Sequence, residues 1–348
     1  DSDKIISNKT FRVYPMTVKE LKDAGTEYES EEKKKLGAGK YEGDKWGGKY
    51  LRAPDIFFTI LEKGKDKLVK LREVADMSFG IKTGADSFFY LSKEQIKSKK
   101  IEKEFLTPIL VSSDQVKSFF TSSDDTDICL VTTIKPKSNI RETAFYKYII
   151  QGETENFHGR KKDSIPKDRP SCKSHSPFWY SINVPKAPSI YWMEMRRERY
   201  FTLLNSAKLA ADHTFYGIYP KENIDSISLC AILNSTIIPL FVEIFANDPG
   251  GGGTTLQTPT GETKRYVMLP KSLIGSKSLI KCFQDLAKRS SQSIIAECGF
   301  DPESKTPIEE QEPKPLPDRA ELDKIVFDAL GLTKEERKEV YRAVCRLV

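Results

Sequence analysis

Apolar positions change their spacing several times along this chain, and each change marks an element. Phe11-Arg-Val-Tyr14 alternates and predicts a short strand, and Val18 to Leu36 follows as a charged helical stretch. Gly37 to Gly48 is rich in glycine and charge and reads as a linker. Pro54 suits a helix N-terminus, with Ile56, Phe57, Ile60 and Leu61 on one apolar face. Leu68 to Leu91 is β-rich, interrupted by Gly80 and Gly84; helices are predicted over 93–104 and 142–150. Short strands are predicted at Ile128–Thr132, Ser189–Met193 and Phe215–Tyr219, with turn residues between them. From Asp225 to Ala246 the pattern becomes one long, mostly apolar helix. The glycine run Gly250–Gly253, a strand at 265–269 and a second helix over 272–297 follow. Asp301 to Pro317 is a proline- and acid-rich tether. The tail is a helical hairpin: Arg319–Leu330 stopped by Gly331, then a helix opened by the Thr333/Glu336 capping box. The fold class expected is mixed α+β, a β-rich body with a helical portion and a C-terminal helical hairpin.

Length and composition narrow the class. The 348 residues suggest about two domains plus a connecting segment. Aromatics at 10% are too many for a disordered polypeptide, so a core is expected. The most apolar stretch, Leu229 to Ala246, is broken by Asn234, Ser235, Thr236, Pro239 and Glu243, which predicts a buried helix and no membrane partner. The 6 cysteines are scattered without a C-x-x-C pair, and only 3 histidines are present, which argues against a disulfide scaffold, a structural zinc site or a His-rich metal centre. With no signal peptide visible, a reduced, cytoplasmic protein is expected. The chain opens on Asp1, which predicts a piece of a longer polypeptide.

Catalytic constellations are sparse in the sequence. Gly-x-Ser-x-Gly and the P-loop pattern are absent, and Cys172 with His175 reads as a Ser/Lys/Pro-rich loop. Gly250–Gly253 follows a helix end and lacks the strand-to-helix setting of a phosphate loop. Asp23, Glu31 and Lys33 fit a nuclease spacing only inside a charged run where chance supplies it.

Basic residues interleaved with aromatic ones are more informative. Phe79-Gly-Ile-Lys-Thr-Gly-Ala-Asp-Ser-Phe-Phe-Tyr90 sets Lys82 and Thr83 between two glycines, a loop able to offer an ammonium and a hydroxyl to phosphate or base edges while Phe88 and Phe89 anchor it. Tyr191 to Phe201 concentrates Arg196, Arg197 and Arg199 at a strand end, and guanidinium forks match phosphate oxygens and guanine O6/N7. Lys264 and Arg265 are further candidates, and Lys161, Lys162, Lys167 and Arg169 add charge in a loop. A net charge of +6 alone would not justify a nucleic-acid assignment.

The string from Lys49-Tyr-Leu-Arg-Ala-Pro-Asp-Ile-Phe-Phe58 through Phe79–Leu91, Thr107–Ser113, Gln151-Gly-Glu153, Trp179-Tyr180, Ala210–Tyr216, Leu229–Ser235 and Leu322–Leu332 resembles the C-terminal half of type II restriction–modification DNA N6-adenine methyltransferases with a TaqI-like specificity domain. The family's Asn/Asp-Pro-Pro-Tyr/Phe motif is missing, since the chain has no Pro-Pro dipeptide, and Asn247-Asp-Pro-Gly250 is only an echo of it in the specificity half. The resemblance therefore implies a target-recognition portion without catalytic residues, cofactor residues or metal ligands of its own. It implies double-stranded DNA as partner, together with a catalytic methylase domain of the same polypeptide that uses S-adenosylmethionine and holds the flipped adenine. The boundaries expected are 1–48 for the trailing edge of the methylase domain and a linker, 49–300 for target recognition, 301–317 for the tether and 318–348 for the hairpin. Two other readings are a complete nuclease or methylase whose motifs have drifted, and a protein-interaction module built on the hairpin.

Overall fold

The computed structural model describes residues 6–7, 12–27, 39–41, 43, 45, 47–159, 162–247 and 255–348. The strand expected at Phe11–Tyr14 is the two-residue Arg12–Val13, paired antiparallel with Ile6–Ser7. The first helix runs Val18–Gly25 under a Thr17/Glu20 capping box, and residues 28–36 of the expected helix lie outside the described ones, as does the Gly250–Gly253 run.

Two small sheets carry the body, and the architecture is mixed α+β. The first orders Leu203–Leu204, Ile190–Met193, Phe215–Pro220 and Ala75–Phe79, all antiparallel. The second orders Ala210–Ala211, Leu106–Leu110, Ile128–Val131 and Tyr90–Ser92, with only the first pair parallel. Each sheet has its own core. One gathers side chains between Ile81 and Ile182, with Phe88, Phe89, Phe105 and Phe145 fully buried. The other holds Ile56, Phe57 and Ile60 of the Asp55–Lys63 helix, the first sheet, and the apolar residues from Leu229 onward.

Several expected elements divide where local chemistry interrupts them. The expected Asp225–Ala246 helix is two helices, Ser226–Leu233 and Ile237–Phe245, bent by 66°. Pro239 has no N–H to give the carbonyl of residue 235 and its ring would strike it, so an unbroken helix is barred. The Asn234 amide satisfies backbone left open at the break, its Nδ2 donating to the Cys230 carbonyl at 2.9 Å, and it also ties in Thr202, accepting from the N–H at 2.9 Å and donating to the carbonyl at 2.8 Å. Among the described residues no single helix is long and apolar enough to cross a membrane. The expected 272–297 helix is likewise split into Lys277–Leu286 and Ile294–Glu297, because the serines at 290, 291 and 293 favour local side-chain bonds, Ser293 capping the second piece. The expected 265–269 strand is Met268–Pro270, paired with Leu68–Lys70, after a helix at Thr260–Tyr266. The 68–91 stretch contains two one-turn helices, Leu71–Val74 and Asp86–Phe89, between its strands.

The hairpin helices, Pro317–Leu330 and Lys334–Leu347, turn on Gly331 at φ 74° and open with the Thr333/Glu336 capping box. Val326, Leu330, Val340, Tyr341 and Val344 are buried in the larger core. Arg319, 1% exposed, fastens them further: its Nε donates to Glu297 at 3.1 Å, and its guanidinium also donates to the Asn234 carbonyl at the break between the two apolar helices. Asp323, fully buried, accepts from the Thr236 N–H at 2.8 Å at the same break.

Candidate functional site

Two strands pass from one sheet to the other side by side. Ala75–Phe79 leaves the first sheet and runs through Gly80–Ala85 into the second core; Ala210–Ala211 leaves the second sheet and re-enters the first as Phe215–Pro220. The crossings are bonded to each other, Gly80 N–H to the Phe215 carbonyl at 3.0 Å and Ile81 N–H to the Ala211 carbonyl at 2.9 Å. Only glycine fits at 80, since a Cβ there would lie 1.9 Å from the Asp212 carbonyl oxygen. Gly84 has φ +69°, and a Cβ would lie 1.9 Å from the Ser171 hydroxyl. The sequence thereby brings the 80–84 loop, the 212–214 turn and the Pro170–Lys173 helix together at one seam.

An open groove of about 830 Å³ runs along that seam, lined by Lys82, Asp86, Arg169 and all three histidines, His158, His175 and His213. A second recess of about 570 Å³ adjoins it and shares Lys82, Ser174 and His175. Lys82 stands exposed between the two with its ammonium 4.9 Å from the Phe79 ring. Phe88 and Phe89 anchor the loop from behind: Phe88 stacks on Tyr148 at 4.6 Å, and the Tyr148 hydroxyl donates to the Phe88 carbonyl at 2.9 Å.

Arg169 ties the loops into one surface. Its Nη2 donates to the carbonyls of Phe157 at 2.7 Å and His158 at 2.9 Å, its Nε to the Ser164 hydroxyl at 3.1 Å, and its Nη1 reaches the Gly84 carbonyl at 3.5 Å. Phe157 and Ser164 exchange backbone hydrogen bonds that close a hairpin loop carrying the exposed Lys162. Lys161 lies outside the described residues.

The structure separates the other expected residues. Thr83 is 1% exposed; its hydroxyl donates to Asp86 and accepts from the Ala85 N–H at 3.1 Å, so it shapes the loop and does not face solvent as expected. Arg196 also corrects the expectation: it is 3% exposed, lies 4.0 Å over the Trp192 ring and donates to the Phe201 carbonyl at 3.0 Å. Burial pulls its guanidinium down to about 10, and in this position it reaches no base edge. Arg199 is half-buried, bound to the Ser291 hydroxyl at 2.7 Å and the Val116 carbonyl at 3.3 Å. Of the three arginines Arg197 is the exposed one, its Nε donating to the Thr255 hydroxyl at 3.2 Å. Lys264 and Arg265 are half-buried on the Thr260–Tyr266 helix, where Arg265 donates to the Gly43 carbonyl at 2.5 Å.

No nucleophile emerges at Cys172, which the structure places buried on a short helix; burial pushes its thiol up to about 11. His175 next to it has Nδ1 2.7 Å from the Trp179 carbonyl. No group of three or more His, Cys, Asp or Glu side chains that could hold a metal ion is present among the described residues.

The architecture is a two-core α+β fold. It matches the type IIG restriction endonuclease BpuSI with a TM-score of 0.57 at 13% identity, over 92% of this chain and 35% of that one. The type IIL restriction–modification enzyme MmeI, solved in complex with DNA, follows with a TM-score of 0.48 at 13% identity, over 80% of this chain and 36% of that one. This chain thus spans about a third of the length of those proteins. The sequence-family model of the type II methyltransferase M.Eco57I C-terminal domain matches residues 43–297, and the chain belongs to that family. No curated protein matches it. The C-terminal hairpin lies beyond the matched range, yet shares its core.

Proposed function

We propose that this chain is the DNA target-recognition module of a restriction–modification N6-adenine methyltransferase. The observation that carries the reading is the seam groove, with Lys82 at its lip and two loops fastened by Arg169, inside the range that matches a methyltransferase C-terminal domain. Lys82 and Lys162 supply phosphate contacts that set register, and Arg197 and Lys264 are further basic groups from which base edges are read. Methyl transfer itself, with S-adenosylmethionine and the flipped adenine, belongs to a catalytic domain outside this chain.

The test is a binding titration of the purified chain against random-sequence duplexes at two salt concentrations, with the bound fraction sequenced. Enrichment of a short motif, together with affinity that falls as salt rises, supports target recognition. Salt-dependent binding without enrichment assigns specificity to the combination with the methylase domain. Salt-insensitive indifference to DNA overturns the proposal.

A further inference from the structure

We infer that the seam also holds a nucleobase subsite, built from Phe79 and Asn183, which takes a base unstacked from the duplex; this rests on the DNA reading above. Phe79 ends its strand in the smaller recess and is 53% exposed. Its ring is fixed from behind by Tyr216, directly across the ladder, which meets it edge to face at 5.2 Å. Gly80 follows with no room for a side chain, so the strand end is locked against the Asp212 backbone. A single exposed aromatic is ordinary on a protein surface. This one is braced by Tyr216, carries the Lys82 ammonium over its ring at 4.9 Å, so that an incoming base displaces that exposed side chain toward its own phosphate, and lines a recess with polar walls that include His175, Ser176 and Asn183.

The Asn183 side chain is exposed, and no described residue bonds it. Its amide offers one donor group and one acceptor on the same wall, the pairing that suits the N6/N7 edge of adenine. A bare phosphate would leave Phe79 without a role, and an apolar side chain would leave Asn183 and Lys82 without one. A nucleobase with its attached phosphate uses all three groups at once. Inside a duplex the face of a base is covered by its neighbours, so only an unstacked base can lie on Phe79. The ligand class is therefore a nucleotide displaced from its stack, separate from the adenine that the methylase domain holds.

The experiment measures binding of the full chain to duplexes carrying one unpaired adenine, cytosine, guanine or thymine and to the same duplex fully paired, for wild type, F79A, F79Y and N183A. An unpaired base removes the unstacking cost, so wild type is expected to prefer it about tenfold or more. F79A binds paired and unpaired duplexes alike with the salt dependence of wild type, which shows that it is folded, whereas F79Y, which keeps a ring, retains the preference. N183A retains the preference for an unpaired base but no longer favours adenine over the other three. Wild type without the preference, or F79A with it, overturns the subsite while leaving salt-dependent DNA binding in place. Absence of salt-dependent binding by wild type overturns the DNA reading beneath it.

Discussion

Arg319 offers the sharpest test of how the C-terminal hairpin is held. Its guanidinium joins two buried carboxylates: Glu297, 2% exposed and bonded at 3.1 Å, and Asp323, whose charge it offsets in the same interior. Removing one partner of a buried ion pair costs about 3–5 kcal/mol, because a charge is left behind without compensation. Here Glu297 keeps Arg289, which donates to its two oxygens at 2.6 and 2.7 Å, and the Gln292 N–H at 3.0 Å. Asp323 keeps its bonds from the Thr236 N–H at 2.8 Å and hydroxyl at 2.5 Å but loses the guanidinium charge that favours its ionised form. The loss for R319M therefore belongs at the low end, about 3 kcal/mol. With a urea dependence of about 3 kcal/mol per molar for a chain of this size, the unfolding midpoint falls by about 1 M. Fluorescence of the buried Trp192 reports it. Neutralising the stranded charge in R319M/D323N is expected to restore part of the loss, leaving the double variant about 1–3 kcal/mol less destabilised than the two single changes added. A midpoint shift below about 0.2 M for R319M, or strict additivity in the double variant, would refute the assignment.

Four further outcomes follow from the same geometry. Burial pushes the Glu243 carboxyl up to about 7, against the opposing pull of the Tyr200 hydroxyl that donates to it and of Arg52 at 3.8 Å. The folded chain therefore keeps a proton there that the unfolded chain releases above about 4.5, and stability is lost as pH rises through 7, by roughly 3 kcal/mol. E243Q should remove that part of the difference between urea midpoints at pH 5 and pH 8; identical differences in the two proteins argue against it. K82A should weaken DNA binding evenly across sequences and lower the salt slope by about 1, whereas an unchanged slope takes Lys82 off the phosphate. R169A should weaken binding while leaving the slope alone, since the Arg169 N–H groups are engaged by protein oxygens, and R169K should not rescue it because an ammonium cannot span the same carbonyls. G80A should destabilise the chain by about 1–3 kcal/mol through the clash with the Asp212 carbonyl, and a thermal midpoint equal to that of wild type would show that the two crossings separate freely.

Local chemistry was legible wherever it acts over a few residues. The Thr333/Glu336 box and Gly331 set the ends of the hairpin helices, and the apolar face of Ile56, Phe57 and Ile60 is the buried one. The split of the 225–246 segment was also written in the chain, in Asn234 to Thr236 and Pro239, though hydrophobicity alone drew it as one helix. The basic loop at Lys82 was visible from its flanking glycines and aromatics. Its neighbours in the groove were not: His158, Arg169, His175, Asn183 and His213 are dispersed in sequence and share no period.

The chain by itself determined the capped and glycine-stopped ends of the hairpin helices, the apolar face of the Asp55–Lys63 helix and the family to which it belongs, because these depend on backbone sterics and on contacts between near neighbours. Tertiary structure alone decided which charges face water. Arg196, Arg197 and Arg199 lie within four positions of one another, yet the first lies over Trp192 in the core, the second is exposed and the third is pinned to Ser291 and Val116. Burial is a property of the surroundings a side chain meets after the chain has crossed between its two sheets, and those surroundings come from residues far away along the chain.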